Sequence, residues 1–268
     1  MASYFMGIDV GSLSCDAVIV GEDGDMVAWA VVPTGARNTE SIALVRRLVL
    51  ERAGIEDRDV EAVVSTGYGR ERVEGRLAAV TEITCHGRGI NHLRPGVKLL
   101  IDIGGQDSKV ISLDGKGRVL DFAMNDKCAA GTGRFLEAMA RALETEVHRL
   151  GELDPKDDDP LTLSSVCTVF AESEVVSLIA EGTAVPRIVG GLHRAIAARI
   201  RALARRVADD FSSLDVAMSG GVARNSGVVN ALERALGCTI FVPAEPDIVG
   251  ALGAALICRE RASASGAN

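Results

Sequence analysis

Residues 4–32, YFMGIDVGSLSCDAVIVGEDGDMVAWAVV, read as strand, polar turn, strand, turn, strand. Residues 97–124, VKLLIDIGGQDSKVISLDGKGRVLDFAM, read the same way. In each copy the first strand ends in Asp-x-Gly, at Asp9-Val10-Gly11-Ser12 and at Asp102-Ile103-Gly104-Gly105. A second turn, Glu22–Asp25 in one copy and Asp114–Gly117 in the other, leads into the third strand. Alternating β-branched residues favour strands, and Asp-Gly pairs favour tight hairpins. A three-stranded unit followed by helical sequence, present twice, predicts two duplicated α/β lobes facing across a cleft.

Working outward, a helix is expected over Thr39–Arg52, capped by Asn38 or Thr39, and a strand over Val60–Ser65 leading into the turn Thr66–Arg70. A helix from about Thr132 to Leu143 follows Cys128, then an acidic, proline-bounded connector, DPKDDDP (154–160). Helices are expected over Phe170–Glu181 and Pro186–Asp209, and a buried-type strand over 214–219 (LDVAMS). The glycine turn Gly220-Gly221-Val222 opens a helix to Leu236. The strand CTIFVP and an Ala/Gly-rich helix from about Ile248 to Glu260 complete the pattern, and the tail SASGAN reads as disordered. The lobes are set at 1–95 and 96–247, with a C-terminal helix at about 248–262 returning to the first.

The 268 residues are 47% hydrophobic but only 3% aromatic, so Ala, Val, Ile and Leu must build the core. The 29 glycines gather at predicted turns, which suggests recognition by backbone. A net charge of −8 argues against a nucleic-acid binder. The one basic stretch, His193–Arg206, reads as the solvated face of an amphipathic helix. The N-terminus lacks the pattern of a secretory signal, and no run of about 20 apolar residues spans a membrane. Six cysteines in such a chain are expected as reduced thiols or metal ligands, in the cytoplasm.

The glycine turns make sense as one ATP site. Asp9 and Asp102 would point into the cleft, hold Mg²⁺ through waters and orient the attacking water. Gly11-Ser12 and Gly104-Gly105 let backbone N–H groups approach phosphate oxygens, and Gln106 would either position the water or shape the hairpin. Gly220, Gly221 and Asn225 would serve the nucleoside end. The chain has no Walker A sequence. The arrangement resembles the actin, Hsp70 and sugar-kinase superfamily, whose duplicated lobes are ribonuclease H-like with an interlobe ATP cleft.

Cys128, in NDKCAAGTGRFLE, and Cys167, in CTVFAESEV, each precede a predicted helix, and neither belongs to a CxxC pair. Helix N-termini favour anions, and Lys127 adds a nearby cation. A cubane iron–sulfur cluster usually takes four thiolates, which two copies of this chain would supply. Buried structural cysteines or a zinc site fit the spacing equally well. A small-molecule kinase and a zinc-stapled nucleotide sensor are the corresponding other functions.

The cysteine segments, together with GIDVGS, TGYGR, DIGGQD and SGGVARN, closely resemble the ATP-dependent activators of 2-hydroxyacyl-CoA dehydratases, from about Phe5 to Ile257. The ATPase subunits of benzoyl-CoA reductase belong to the same family. The resemblance implies a homodimer with one interfacial [4Fe-4S] cluster, held by Cys128 and Cys167 of each subunit. It further implies ATP hydrolysis to ADP, coupled to electron transfer from ferredoxin or flavodoxin to a partner dehydratase or reductase. Many members carry Lys at the position of Asp16. An acid there would repel a triphosphate unless it turns away or Lys109 or Lys127 offsets it.

Cys85-His86 is expected to pack or end a helix, since adjacent residues ligate one metal poorly. Cys15 and Cys238, in predicted strands, and Cys258, in a helix, read as core. His148 and His193 receive no catalytic role. Glu172 and Glu174 are expected in the first turn of the helix after Cys167, complementing its dipole.

Overall fold

The computed structural model of the chain describes residues 3–154, 161–163 and 167–265. Most of the acidic connector (155–160) and the end of the SASGAN tail lie outside the described residues. Two compact units divide the chain: Met1–Lys98 with Leu113–Leu120 and Pro243–Asn268, and Leu99–Ser112 with Asp121–Val242.

In the first unit, β1 (Tyr4–Val10), β2 (Ser14–Val20) and β3 (Met26–Pro33) form an antiparallel meander. Helix α1 (Asn38–Ala53) precedes β4 (Val60–Thr66), which pairs parallel to β1, and the short β5 (Ala78–Ala79) completes a sheet ordered β3-β2-β1-β4-β5. Helix α1 starts on Arg37 without a side-chain cap, rather than on Asn38 or Thr39, and ends on Gly54 at φ 68°, a left-handed C-cap that glycine adopts without strain.

Alternation along the strands sends Met6, Ile8, Val10, Cys15, Ala17 and Ile19 into one core, shared with Ile42, Val45 and Val49 of α1. Phe5, Val18 and Val20 point to the other face, against Ala251, Leu252 and Ala255 of the C-terminal helix α7 (Val249–Ser265) and Cys85 of α2 (Glu82–Leu93). Burying each such aliphatic side chain stabilises by about 1.5–3 kcal/mol. Three glycines let the backbones on that face meet: a Cβ on Gly7 would overlap Ala251 O, one on Gly89 would overlap Val249 O, and one on Gly253 would overlap Cys85 O. The sequence reading assigned no helix at α2, whose Gly87 and Gly89 lower helix propensity. Close packing against α7 overrides that cost.

The second copy of the repeat gives β6 (Leu99–Ile103), β7 (Ser108–Leu113) and β8 (Val119–Asn125). Then follow α3 (Gly133–Ala142), α4 (Thr168–Ala180), α5 (Val185–Ala204), β9 (Val216–Ser219), α6 (Ser226–Leu236) and β10 (Ile240–Phe241). The sheet runs β10-β9-β6-β7-β8, and β9 pairs parallel to β6 just as β4 pairs to β1. One core unites Leu99, Ile101 and Ile103 with Phe135, Leu136, Ile188, Leu192, Ile196 and Leu232. Helix α5 stops at Ala204, short of the expected Asp209, because Asp209 and Asp210 would oppose the negative end of its dipole. Cys238 falls in the bend before β10 rather than in a strand. No described helix is long and apolar enough to cross a membrane.

Candidate functional site

In the first unit Asp9, one residue from the end of β1, is 7% exposed. Its strand neighbours in register are Asp16 on β2 and Thr66 on β4. Gly11 N–H donates to Ser14 O at 2.9 Å and closes the turn that holds Ser12. Gly67 has φ 84°, and a Cβ there would overlap Asp9 Oδ1. A Cβ on Gly250 of α7 would overlap Asp9 Oδ2. Both glycines are therefore needed to seat the carboxylate, and neither was singled out from the sequence.

Asp16 does not turn away. It is 4% exposed and faces the same side of the sheet as Asp9. Ser14 Oγ donates to its Oδ2 at 3.1 Å, while Oδ1 is buried without a hydrogen-bond partner. Desolvation first, then the charges of Asp9 and Asp247, push its carboxyl well above the usual range. His86 of α2 also lies within the field of Asp16, its Nδ1 2.9 Å from Glu82 O. His86 and Cys85 are both buried mid-helix, and burial pushes the Cys85 thiol up to about 12. An orphaned carboxylate oxygen beside a second carboxylate suits a divalent cation, so the residues present fit Mg²⁺.

In the second unit Asp102 takes the corresponding place on β6. Its neighbours in register are Lys109 on β7 and Ser219 on β9. Ser219 Oγ donates to Asp102 Oδ1 at 2.8 Å. Lys109 Nζ, 2% exposed, lies 3.3 Å from Asp102 Oδ2 and 2.9 Å from Asp107 Oδ2. Lys127, the other cation considered, is solvent-exposed. Gly104 N–H donates to Asp107 O at 3.0 Å and closes the turn, leaving Gln106 exposed at its tip.

The carbonyls of Gly104 and Gly105 accept hydrogen bonds from Gly133 and Arg134 N–H, both 2.9 Å, the first two amides of α3. Helix α3 therefore anchors the Gly104–Gly105 turn. Cys128 lies in the loop ahead of the N-cap Thr132. Each cysteine precedes a helix as expected, Cys128 by a short loop and Cys167 directly as the N-cap of α4. Because α4 begins at Thr168, Glu172 and Glu174 fall beyond its first turn.

Gly220, at φ 83°, would bring a Cβ to 3.0 Å from Asp102 Oδ1. A 3₁₀ turn (Gly221–Arg224) follows, so α6 does not start at the glycines as expected but at Ser226. Asn225 caps that helix, its Oδ1 accepting from Val228 N–H at 3.1 Å, and its Nδ2 lies 3.3 Å from His193 Nε2. His193, fully buried, has Nδ1 3.3 Å from Asp154 Oδ2 and so braces Asn225.

Cys128 is half-buried and Cys167 exposed, whereas Cys15, Cys85 and Cys258 are buried. Arg199 of α5 stacks 5.8 Å from the Phe135 ring centroid, and the charges of Cys128 and then Cys167 act on its guanidinium. Both thiols thus share one cation, which suits an anionic cluster. No group of three or more ligating side chains exists among the described residues. Of the basic stretch, Arg201, Arg205 and Arg206 are exposed as expected, but Arg194 donates to Leu161 O at 3.1 Å and Arg199 is half-buried.

Residues 6–258 match the BadF/BadG/BcrA/BcrD ATPase family. The chain is 42% identical to the 2-hydroxyisocaproyl-CoA dehydratase activator of Clostridioides difficile, over 98% of this chain and 97% of that one. It is 30% identical to one of the subunits of Thauera aromatica benzoyl-CoA reductase, over 93% and 91%. The crystal structure of Acidaminococcus fermentans (R)-2-hydroxyglutaryl-CoA dehydratase component A superposes with a TM-score of 0.92 at 44% identity, covering 97% of this chain and 99% of that one. A ROK family glucokinase from Streptomyces griseus shares the fold alone, with a TM-score of 0.61 at 16% identity over 96% and 100%. The fold is that of the actin, Hsp70 and sugar-kinase superfamily, with its duplicated ribonuclease H-like units, as the repeat suggested.

Proposed function

The chain belongs to the BadF/BadG/BcrA/BcrD ATPase family, and on that premise we propose that it is the activator of a 2-hydroxyacyl-CoA dehydratase. It hydrolyses ATP to ADP and passes one electron at a time from ferredoxin or flavodoxin to the dehydratase. Two copies form the working unit in the cytoplasm, each giving Cys128 and Cys167 to a shared [4Fe-4S] cluster. When bound, the cluster supplies a one-electron carrier of low potential.

The chain's own residues divide the remaining work. Asp9 holds Mg²⁺, and Asp102 with Gln106 orients the attacking water. Gly11 and Gly104 close the two turns through their own amides, the amides of Ser12 and Gly105 bind phosphate oxygens, and Gly220, Gly221 and Asn225 flank the nucleoside. Arg199 offsets the negative charge of the thiolates, and the N-terminus of α4 adds a favourable dipole at Cys167.

One observation carries the reading: the Gly104-Gly105 carbonyls are hydrogen-bonded to the first amides of α3, directly after the Cys128 loop. A phosphate turn that moves on hydrolysis must move those amides or break two hydrogen bonds. Nucleotide state is thereby coupled to the position of Cys128. A permanent component of a benzoyl-CoA reductase-type complex is the second reading. The lower identity to that relative, 30% against 42%, favours the activator.

The test is iron and acid-labile sulfide content after anaerobic purification. About four irons per pair of chains are expected, falling to near zero in Cys128→Ala and Cys167→Ala. Colourless wild-type protein after attempted reconstitution, or either variant keeping its full iron, would rule the assignment out.

A further inference from the structure

We propose that Asp16 and Asp9 together form a two-carboxylate divalent-cation site in the first unit, with Asp16 Oδ1 as a direct metal ligand, so that Mg²⁺ or Mn²⁺ binds this chain before nucleotide arrives. The inference rests on reading Asp9 as a cation-side carboxylate of the nucleotide site.

The two residues are direct partners across the β1–β2 hairpin, so their side chains leave the same face of the sheet at neighbouring positions. Both are more than nine-tenths buried. Gly67 and Gly250 leave space that the Asp9 carboxylate fills, which fixes it beside Asp16. Ser14 satisfies Asp16 Oδ2, and Oδ1 is a buried acceptor without a hydrogen-bond partner. A buried carboxylate oxygen in that state costs free energy unless a proton or a cation meets it. Asp247 adds a third negative charge to the field at Asp16, and His86 opposes it.

The second unit meets the same demand with Lys109, which lies opposite Asp102. No lysine stands opposite Asp9. Mg²⁺ is usually bound by one or two carboxylates, with waters and phosphates completing the octahedron. Two protein ligands and no larger ligating group among the described residues match that pattern.

The experiment is a titration of nucleotide-free protein with Mn²⁺, following free Mn²⁺ by electron paramagnetic resonance, alongside fluorescent ADP binding in chelator. One Mn²⁺ per chain is expected for wild type, weakened by about tenfold or more in Asp16→Asn and in Asp9→Asn. Asp16→Asn keeps the side-chain shape, and its melting curve reports that it folds. Wild-type affinity in Asp16→Asn would assign a proton to that oxygen instead and overturn the proposal. So would ADP binding by a wild-type chain that takes up no Mn²⁺ in its absence. Failure to bind ADP at all would remove the nucleotide reading beneath it.

Discussion

The two copies of the strand–turn–strand repeat place an aspartate at the same position and surround it differently. Asp9 meets Asp16 across its hairpin, while Asp102 meets Lys109; each pair is separated by seven residues in sequence. On the other flank, Ser219 donates its hydroxyl to Asp102, whereas the Thr66 hydroxyl, opposite Asp9, is buried without a hydrogen-bond partner. The two copies share the strand pairing and the position of the carboxylate. At the position across the hairpin, one copy carries a lysine and the other an aspartate.

Lys109→Met should break the satisfied copy with the largest effect. It leaves Asp102 and Asp107 beside each other without their shared cation. Removing one partner of a buried ion pair costs about 3–5 kcal/mol. Denaturant unfolding should show that loss, and a shift under about 1 kcal/mol would mean the pair is better solvated than its burial implies.

The opposite sign is expected in the other copy. In metal-free buffer at neutral pH, Asp16→Asn should stabilise by about 2 kcal/mol, because it removes a charged acceptor left unsatisfied. The sign follows from the raised carboxyl. The folded chain binds that proton more tightly than the unfolded chain, so stability falls as pH rises from about 4 through the raised value. The melting-temperature gain should therefore shrink toward zero as pH is lowered to about 4. A gain independent of pH would show that charge is not its origin.

The smallest effect separates the flanking hydroxyls. Ser219→Ala should cost about 1 kcal/mol by removing a hydrogen bond to a buried carboxylate. Thr66→Val removes a buried hydroxyl without a hydrogen-bond partner and should cost less than about half of that by the same denaturant curves. Equal costs would erase the distinction between the two copies at this position.

Much of the secondary structure was legible because it is written locally. Alternation and Asp-Gly turns mark both meanders, and the positions of α1, α3, α5 and α6 follow from periodicity and caps. Helix α2 was not legible, since its glycines argue against a helix until α7 lies against them. At the candidate site the sequence offered Asp9, Asp102, the glycine turns and the two cysteines by residue type and spacing. Gly67, Gly250, His86, Lys109 and Arg199 have no local signature of their roles. Their significance comes from residues distant in sequence: Gly250 beside Asp9, His193 beside Asn225, Arg199 within the field of both thiols.

By itself, the sequence determined the duplicated α/β fold and the family, because period, turn chemistry and long motifs are properties of short segments. Only the tertiary structure decided that Asp16 shares a face with Asp9, that Lys109 lies against Asp102, and that the first amides of α3 donate to the Gly104–Gly105 turn. Those outcomes depend on strand register and on which backbone amide meets which carbonyl. Both are fixed only when distant segments pack and each buried polar group must find a partner.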